Sequence, residues 1–285
     1  MRKLLTVFAL LMLSHHLFAQ NNTSASYSKA KPLTIGVVEE LPSKILAEKR
    51  ILNVYLPEGY NARDTVRYPV IYLLDGAVNE DFIHIVGLVQ FNSFEWINRL
   101  PKSIVVGIAT VDRRRDFTYP TTIQSDKVAY PTTGHSDKFI AFIENELQPF
   151  IQSRYKTTDT KTLIGESLGG LLATEILFKK TRLFNKYIIV SPSLWWDKAS
   201  LLDFKTPKLG PTAVYIGVGK EGLTSTKMPR VMEVDANLLA DKLKTENKTH
   251  DQVFFDYLPF DNHATVMHQA VYNAIRLLYP DRKSE

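Results

Sequence analysis

The chain has 285 residues, with Lys+Arg 35 against Asp+Glu 30 for a formal charge of +5, and it is 45% hydrophobic and 11% aromatic. This is ordinary globular composition, and Gly 13 with Pro 14 is too little for a collagenous or low-complexity chain. Cys 0 removes disulfide frameworks, thiolate zinc sites and cysteine nucleophiles together.

The chain opens with Arg2 and Lys3, an apolar run from Leu4 to Leu13, and Leu17-Phe18-Ala19-Gln20, with a small residue placed for cleavage after Ala19. Residues 1–19 thus read as a secretory signal peptide, with a retained N-terminal anchor as the alternative. No later stretch approaches the roughly 20 apolar residues of a transmembrane helix, so no membrane span is expected. Without Arg2 and Lys3 the charge drops from +5 to +3, spread over the whole length, which is no basis for nucleic-acid binding. Export without cysteine suits a bacterial periplasm or exterior.

Residues 20–31 are polar and aperiodic and read as a flexible lead. Apolar runs of strand length follow at Ile51–Leu56, Val70–Leu74, Ser103–Ile108, Thr162–Ile164, Tyr187–Val190, Ala213–Val218 and Val253–Leu258. Between them lie helical patterns. The clearest is Phe139, Ile143, Leu147, Phe150 and Ile151, followed by Leu168–Phe178, Val234–Leu243 and Ala264–Leu278. Buried strands alternating with amphipathic helices predict an α/β fold, a mostly parallel, doubly wound sheet with helices on both faces. With no repeat and no linker in sight, residues 32–285 are expected to form a single domain.

Thr162-Leu163-Ile164 runs into Gly165-Glu166-Ser167-Leu168-Gly169-Gly170 and then into the helical stretch from Leu171. A strand that reverses sharply into a helix leaves room only for small residues two positions either side of the serine, so this Gly-x-Ser-x-Gly marks Ser167 as the candidate nucleophile. A serine hydroxyl needs a base. Of the downstream histidines, His250 precedes a strand and His268 lies within a helical pattern. His263, in Phe260-Asp261-Asn262-His263 between a strand and a helix, occupies the loop position a base requires.

The acid that orients the base should follow the strand Ala213–Val218, which makes Glu221 the choice. Glu233, Asp235 and Asp256 compete with it, and a Ser–His dyad stays open. For the developing oxyanion, one donor should be the N–H of Leu168 and the other that of Gly76 or Ala77, in the loop after Val70–Leu74. Gly217-Val218-Gly219-Lys220-Glu221-Gly222 matches G-x-G-x-x-G, but Leu223 to Arg230 includes Pro229, so no helix opens on its last glycine and nucleotide binding is not expected. No His/Asp/Glu cluster has metal-ligand spacing, and no cofactor is needed.

The chain resembles the esterase family of α/β-hydrolases that contains enterobactin-type siderophore esterases, S-formylglutathione hydrolases, feruloyl and acetylxylan esterases and mycolyltransferases. The resemblance rests on Ser43-Lys44-Ile45-Leu46, Leu56-Pro57-Glu58-Gly59-Tyr60, Leu73-Leu74-Asp75-Gly76, Arg115-Asp116-Phe117-Thr118, Gly165 to Gly170, Ser191-Pro192-Ser193-Leu194-Trp195-Trp196 and Asn262-His263-Ala264. It implies the α/β-hydrolase fold, with Ser167 and His263 as nucleophile and base. The chain departs from the siderophore-esterase branch at Glu166, where histidine is common.

Within that resemblance the run Arg113-Arg114-Arg115, Arg115 above all, would hold an anionic substrate such as a ferric catecholate, or else be a solvated run paired with Asp112 and Asp116. Trp195 and Trp196 would stack on an aromatic ring or simply pack the loop. The expected activity is hydrolysis of a small-molecule or glycan ester through an acyl-enzyme. The alternatives are acetyl or feruloyl esterase action on carbohydrate, acyl transfer to an alcohol, and a non-catalytic binding module on a hydrolase scaffold.

Overall fold

The computed structural model describes residues 30–224, 230–248 and 251–279. The predicted signal peptide and most of the polar lead lie outside these residues, as does His250. The chain falls into two units, Met1–Thr34 and Ile35–Glu285. The described part of the first, residues 30–34, contains no helix or strand.

The strands of the second unit are β1 (Val37–Ser43), β2 (Glu48–Tyr55), β3 (Tyr68–Leu73), β4 (Ile104–Ile108), β5 (Thr157–Glu166), β6 (Lys186–Val190), β7 (Ala213–Gly219) and β8 (Val253–Leu258). They form one 8-stranded sheet in the order β1-β2-β4-β3-β5-β6-β7-β8. β1 and β2 pair antiparallel, as do β2 and β4, and every pairing from β4 through β3 to β8 is parallel. All seven predicted strands are present. β1 escapes the apolar pattern because only Leu41 and Ser43 are buried in this edge strand. β5 extends well before the predicted Thr162, through the polar, partly exposed Thr158 to Lys161.

Helices α1 (Phe82–Asn92), α2 (Arg113–Phe117), α3 (Gln124–Ala129), α4 (Ser136–Phe142), α5 (Gln148–Arg154), α6 (Leu168–Lys179), α7 (Met232–Asn247) and α8 (Val266–Leu278) connect the strands. Two cores result, one on each face of the sheet. On one face Leu171, Leu172 and Ile176 of α6 and Leu239 and Leu243 of α7 pack with Leu163, Ile189 and Ile216. On the other, Phe82, Ile85 and Val89 of α1 and Val266, Ala270 and Ala274 of α8 pack with Ile71, Ile164 and Ile188. This is the predicted layered arrangement, and parallel neighbours require it because each must be joined by a crossover.

Between α4 and α5 the helix widens into a π turn, Ile143–Leu147. Phe139, Ile143, Leu147 and Ile151 are spaced four apart, and on an ideal α-helix each such step drifts by about 40°. The wider turn takes up part of that drift and keeps all four side chains buried, at 1% exposure or less.

Below α2 lies a buried ionic cluster. Arg50 of β2, 1% exposed, pairs with Asp116 at 2.5 Å and also with Glu48, while its guanidinium stands 5.1 Å over the Phe139 ring. Arg115 closes the cluster through Asp116 Oδ1 at 2.8 Å and Glu48 Oε1 at 2.6 Å. Removing one member strands a buried charge. Asp116→Ala is therefore expected to cost about 3–5 kcal/mol of unfolding free energy, measured by urea denaturation. A loss below about 1 kcal/mol would mean that solvent reaches Arg50.

Candidate active site

Ser167 lies between the end of β5 and the start of α6 with φ 58° and ψ −117°. A non-glycine residue in this region is strained and needs fixed surroundings. Its N–H donates to Val190 O at 3.0 Å, and its carbonyl accepts from Ser193 N–H at 3.0 Å. A Cβ on Gly165 would stand 2.5 Å from Gly169 O, so strand and helix can cross this closely only without it. Ser167 Oγ lies 3.3 Å from Ser193 Oγ, and Leu168 supplies the first N–H of α6.

His263 and Glu221 meet beside it. His263 Nδ1 lies 2.7 Å from Glu221 Oε2, and the other carboxylate oxygen of Glu221 accepts from Ser191 Oγ just past β6. Glu221 is buried and His263 half exposed. The histidine loop is seated by Lys220 N–H donating to Asp261 O at 2.7 Å. A Cβ on Gly219 would come within 2.8 Å of that same carbonyl, so the glycine-rich segment that mimics a dinucleotide fingerprint serves instead to admit the loop of His263.

The competing acids are engaged elsewhere. Glu233 accepts from the backbone N–H groups of Glu221 and Gly222, Asp235 pairs with Arg230, and Asp256 accepts from Tyr215 and Asn273. His268 faces His84 across α8 and α1, with their Nδ1 atoms 3.4 Å apart.

Beside Ser167 opens a cleft of about 240 Å³ lined by Arg113, Arg114, Tyr130, Ser193, Trp195 and Trp196, among others. Arg115, expected on the substrate, is not among the lining residues, because Glu48 and Asp116 hold it in the ionic cluster. Arg113 and Arg114 take its place. Arg113 Nε donates to both oxygens of Asp75 at 2.9 and 3.0 Å, and an Nη reaches Glu166 O at 3.2 Å, tying the ends of β3 and β5 together. Arg114 is exposed, 4.5 Å over the Tyr130 ring.

Trp196 is an anchor rather than an open stacking face, being 2% exposed with its Nε1 donating to Tyr119 O at 2.9 Å. Trp195 is partly exposed. Of the two loop amides expected to face an oxyanion, that of Gly76 is committed to Ile108 O at 3.0 Å. Ala77 N–H donates to Glu80 Oε2 at 3.0 Å, an exposed side chain that can swing away.

Glu166, the last residue of β5, was noticed in the sequence only as a departure from the branch. Burial pushes its carboxyl up to about 7, with Asp81 and Glu221 adding to the rise and His263 and Arg113 opposing it. The Glu221 carboxylate in turn holds the His263 imidazole above its ordinary 6.5. Because the folded chain binds a proton at Glu166 more tightly than the unfolded chain does, ionising it costs stability as pH rises from about 4.5 to about 7. Glu166→Gln is expected to stabilise the protein by on the order of 1–3 kcal/mol at pH 8 and by nothing near pH 4, followed by thermal unfolding across pH. A gain that does not vary with pH would contradict this.

A strained serine where strand turns into helix, at the carboxyl edge of a mostly parallel sheet and beside a His–Glu pair, is the arrangement of the α/β-hydrolase class. Residues 43–269 match the family described as Putative esterase, and the chain belongs to that family. It is 32% identical over 167 residues to the ferri-bacillibactin esterase BesA of Bacillus subtilis (strain 168), covering 54% of this chain and 58% of that relative. It is also 38% identical over 92 residues to a siderophore triacetylfusarinine C esterase of Aspergillus fumigatus, covering 32% and 30% of the two. Among solved structures, an IroE-like serine hydrolase from Shewanella oneidensis superposes with TM-score 0.73 at 32% identity, covering 86% of this chain and 80% of that one. The chain thus spans little more than half the length of the first of these relatives.

Proposed function

We propose that this chain hydrolyses the ester bonds of an iron-chelating siderophore of the catecholate trilactone type, through an acyl-enzyme on Ser167. The observation that carries the reading is the Glu221–His263 pair at 2.7 Å, set beside a strained serine on the rim of a cationic, aromatic cleft. Similarity to proteins named as siderophore esterases supports the substrate class.

Ser167 Oγ attacks the ester carbonyl while its proton passes to His263, whose Nδ1–H is held by Glu221. The tetrahedral oxyanion takes the N–H of Leu168 and, once the Glu80 carboxylate is displaced, that of Ala77. Collapse expels the alcohol, which receives the proton from His263, and water repeats the sequence to free the acid. His263 must be neutral to begin, so kcat/KM is expected to rise with pH through a midpoint above 6.5. Arg114, with no carboxylate partner among the described residues, suits the anionic catecholate, and Trp195 and Tyr130 suit its rings.

Among the described residues no helix is long and apolar enough to cross a membrane. Arg2, Lys3 and the apolar run before Ala19 support export to the periplasm or exterior. N-terminal sequencing of the protein recovered outside the cytoplasm is expected to begin at Gln20, and an intact Met1 would contradict export by cleavage.

The catalytic reading is tested by product analysis of a ferric catecholate trilactone alongside acetylated and feruloylated xylan. Linear, ring-opened catecholate products are expected, with Ser167→Ala lowering turnover about 10³-fold or more while folding normally. Turnover retained in Ser167→Ala would overturn the mechanism. Release of acetate or ferulate in place of trilactone cleavage would overturn the substrate.

A further inference from the structure

Glu166 is a partly buried acid for which the mechanism above has no use. It directly precedes Ser167, and its Oε1 is buried without a hydrogen-bond partner. Orphaned carboxylate oxygens are costly, and glutamine at this strand end would lack the charge.

Glu166 lies opposite Val190 in the β5–β6 pairing, and the next residue, Ser191, donates to Glu221, whose carboxylate holds His263 Nδ1 at 2.7 Å, so that pair sits at the same sheet edge as Glu166. The charged groups that act on it come from four places: Asp81 ahead of α1, Arg113 at the start of α2, Glu221 after β7 and His263 after β8. Asp81 is bonded to His84 at 2.9 Å. Arg113 spends its Nε on Asp75 and reaches only the backbone carbonyl of Glu166. The remaining partner of opposite sign is His263, and it is positive only while it holds a proton.

Resting on the ester-hydrolysis reading, we propose that Glu166 is a positioning residue, a second carboxylate that with Glu221 stabilises the His263 imidazolium formed during attack. No proton moves to Glu166. The proton leaves Ser167 Oγ for His263 and is returned to the departing alcohol, and Glu166 acts only through its field. Glu166 Oε1 is shut away from water and unpartnered, and so is available to supply that field. The coupling is reciprocal: the ionised carboxylate raises the proton affinity of His263, and the imidazolium favours ionised Glu166.

The test uses the full chain, as wild type, Glu166→Gln and Glu166→Asp, with p-nitrophenyl butyrate as probe. Glu166→Gln is expected to lower kcat roughly 3- to 10-fold with KM little changed, and to move the acid limb of kcat/KM to lower pH. Glu166→Asp is expected to restore part of both. Nuclear magnetic resonance titration of His263 in Ser167→Ala, with and without Glu166→Gln, reads the same coupling without turnover, and the glutamine is expected to lower the midpoint. An acid limb and a His263 midpoint unmoved by Glu166→Gln overturn the proposal, whatever happens to kcat. If Ser167→Ala keeps its activity, the ester reading falls, and the His263 titration still decides whether Glu166 acts on the imidazole.

Discussion

Ser167 is held at a positive φ that its own side chain disfavours, and much of the site follows from what holds it there. The residue is gripped from both sides by β6 and the loop after it, through Val190 O and Ser193 N–H. Gly165 lets α6 leave the strand at the necessary angle. Those bonds require β5 and β6 to be parallel and in register, with Glu166 opposite Val190. The two cores secure that register by burying the strands on both faces. The strain at one serine is thus balanced by the packing of the whole sheet.

The same sheet edge concentrates charge. Asp75, Asp81, Glu166 and Glu221 converge around Arg113 and His263, so acids outnumber bases at this edge. Such an excess favours cation formation on the imidazole, and it leaves Glu166 with an unpartnered carboxylate oxygen. Arg113 has a structural as well as a lining role, since it ties Asp75 to the β5 carbonyl beneath the serine. Arg114, one residue on, faces the cleft from above Tyr130.

The neighbouring ionic cluster explains the division of labour within the arginine run. Three consecutive arginines on a single short helix point in different directions, so Arg115 goes to Glu48 and Asp116 while Arg113 and Arg114 line the cleft. Membership of the esterase family accounts for the fold, the elbow and the histidine loop. Glu166 is where this chain departs from the siderophore-esterase branch it resembles, so its chemistry has to be read from its own surroundings.

Local patterns determined a great deal here: the alternation of strand and helix, the glycine-flanked serine, and a histidine on a loop after a strand are all short-range features with short-range physical causes. Glu221 was legible as the carboxylate partner of His263 only as one of four, because the choice among Glu221, Glu233, Asp235 and Asp256 depends on which carboxylate the His263 loop meets when β7 and β8 align. The edge strand β1 was invisible because one face of it has no core to bury against. The fates of Arg115, Trp196 and Gly76 were likewise settled by partners far along the chain, namely Glu48, Tyr119 and Ile108. The orphaned oxygen of Glu166 belongs with them, since burial is a property of what surrounds a residue and no window of sequence around position 166 contains Asp81, Arg113 or His263.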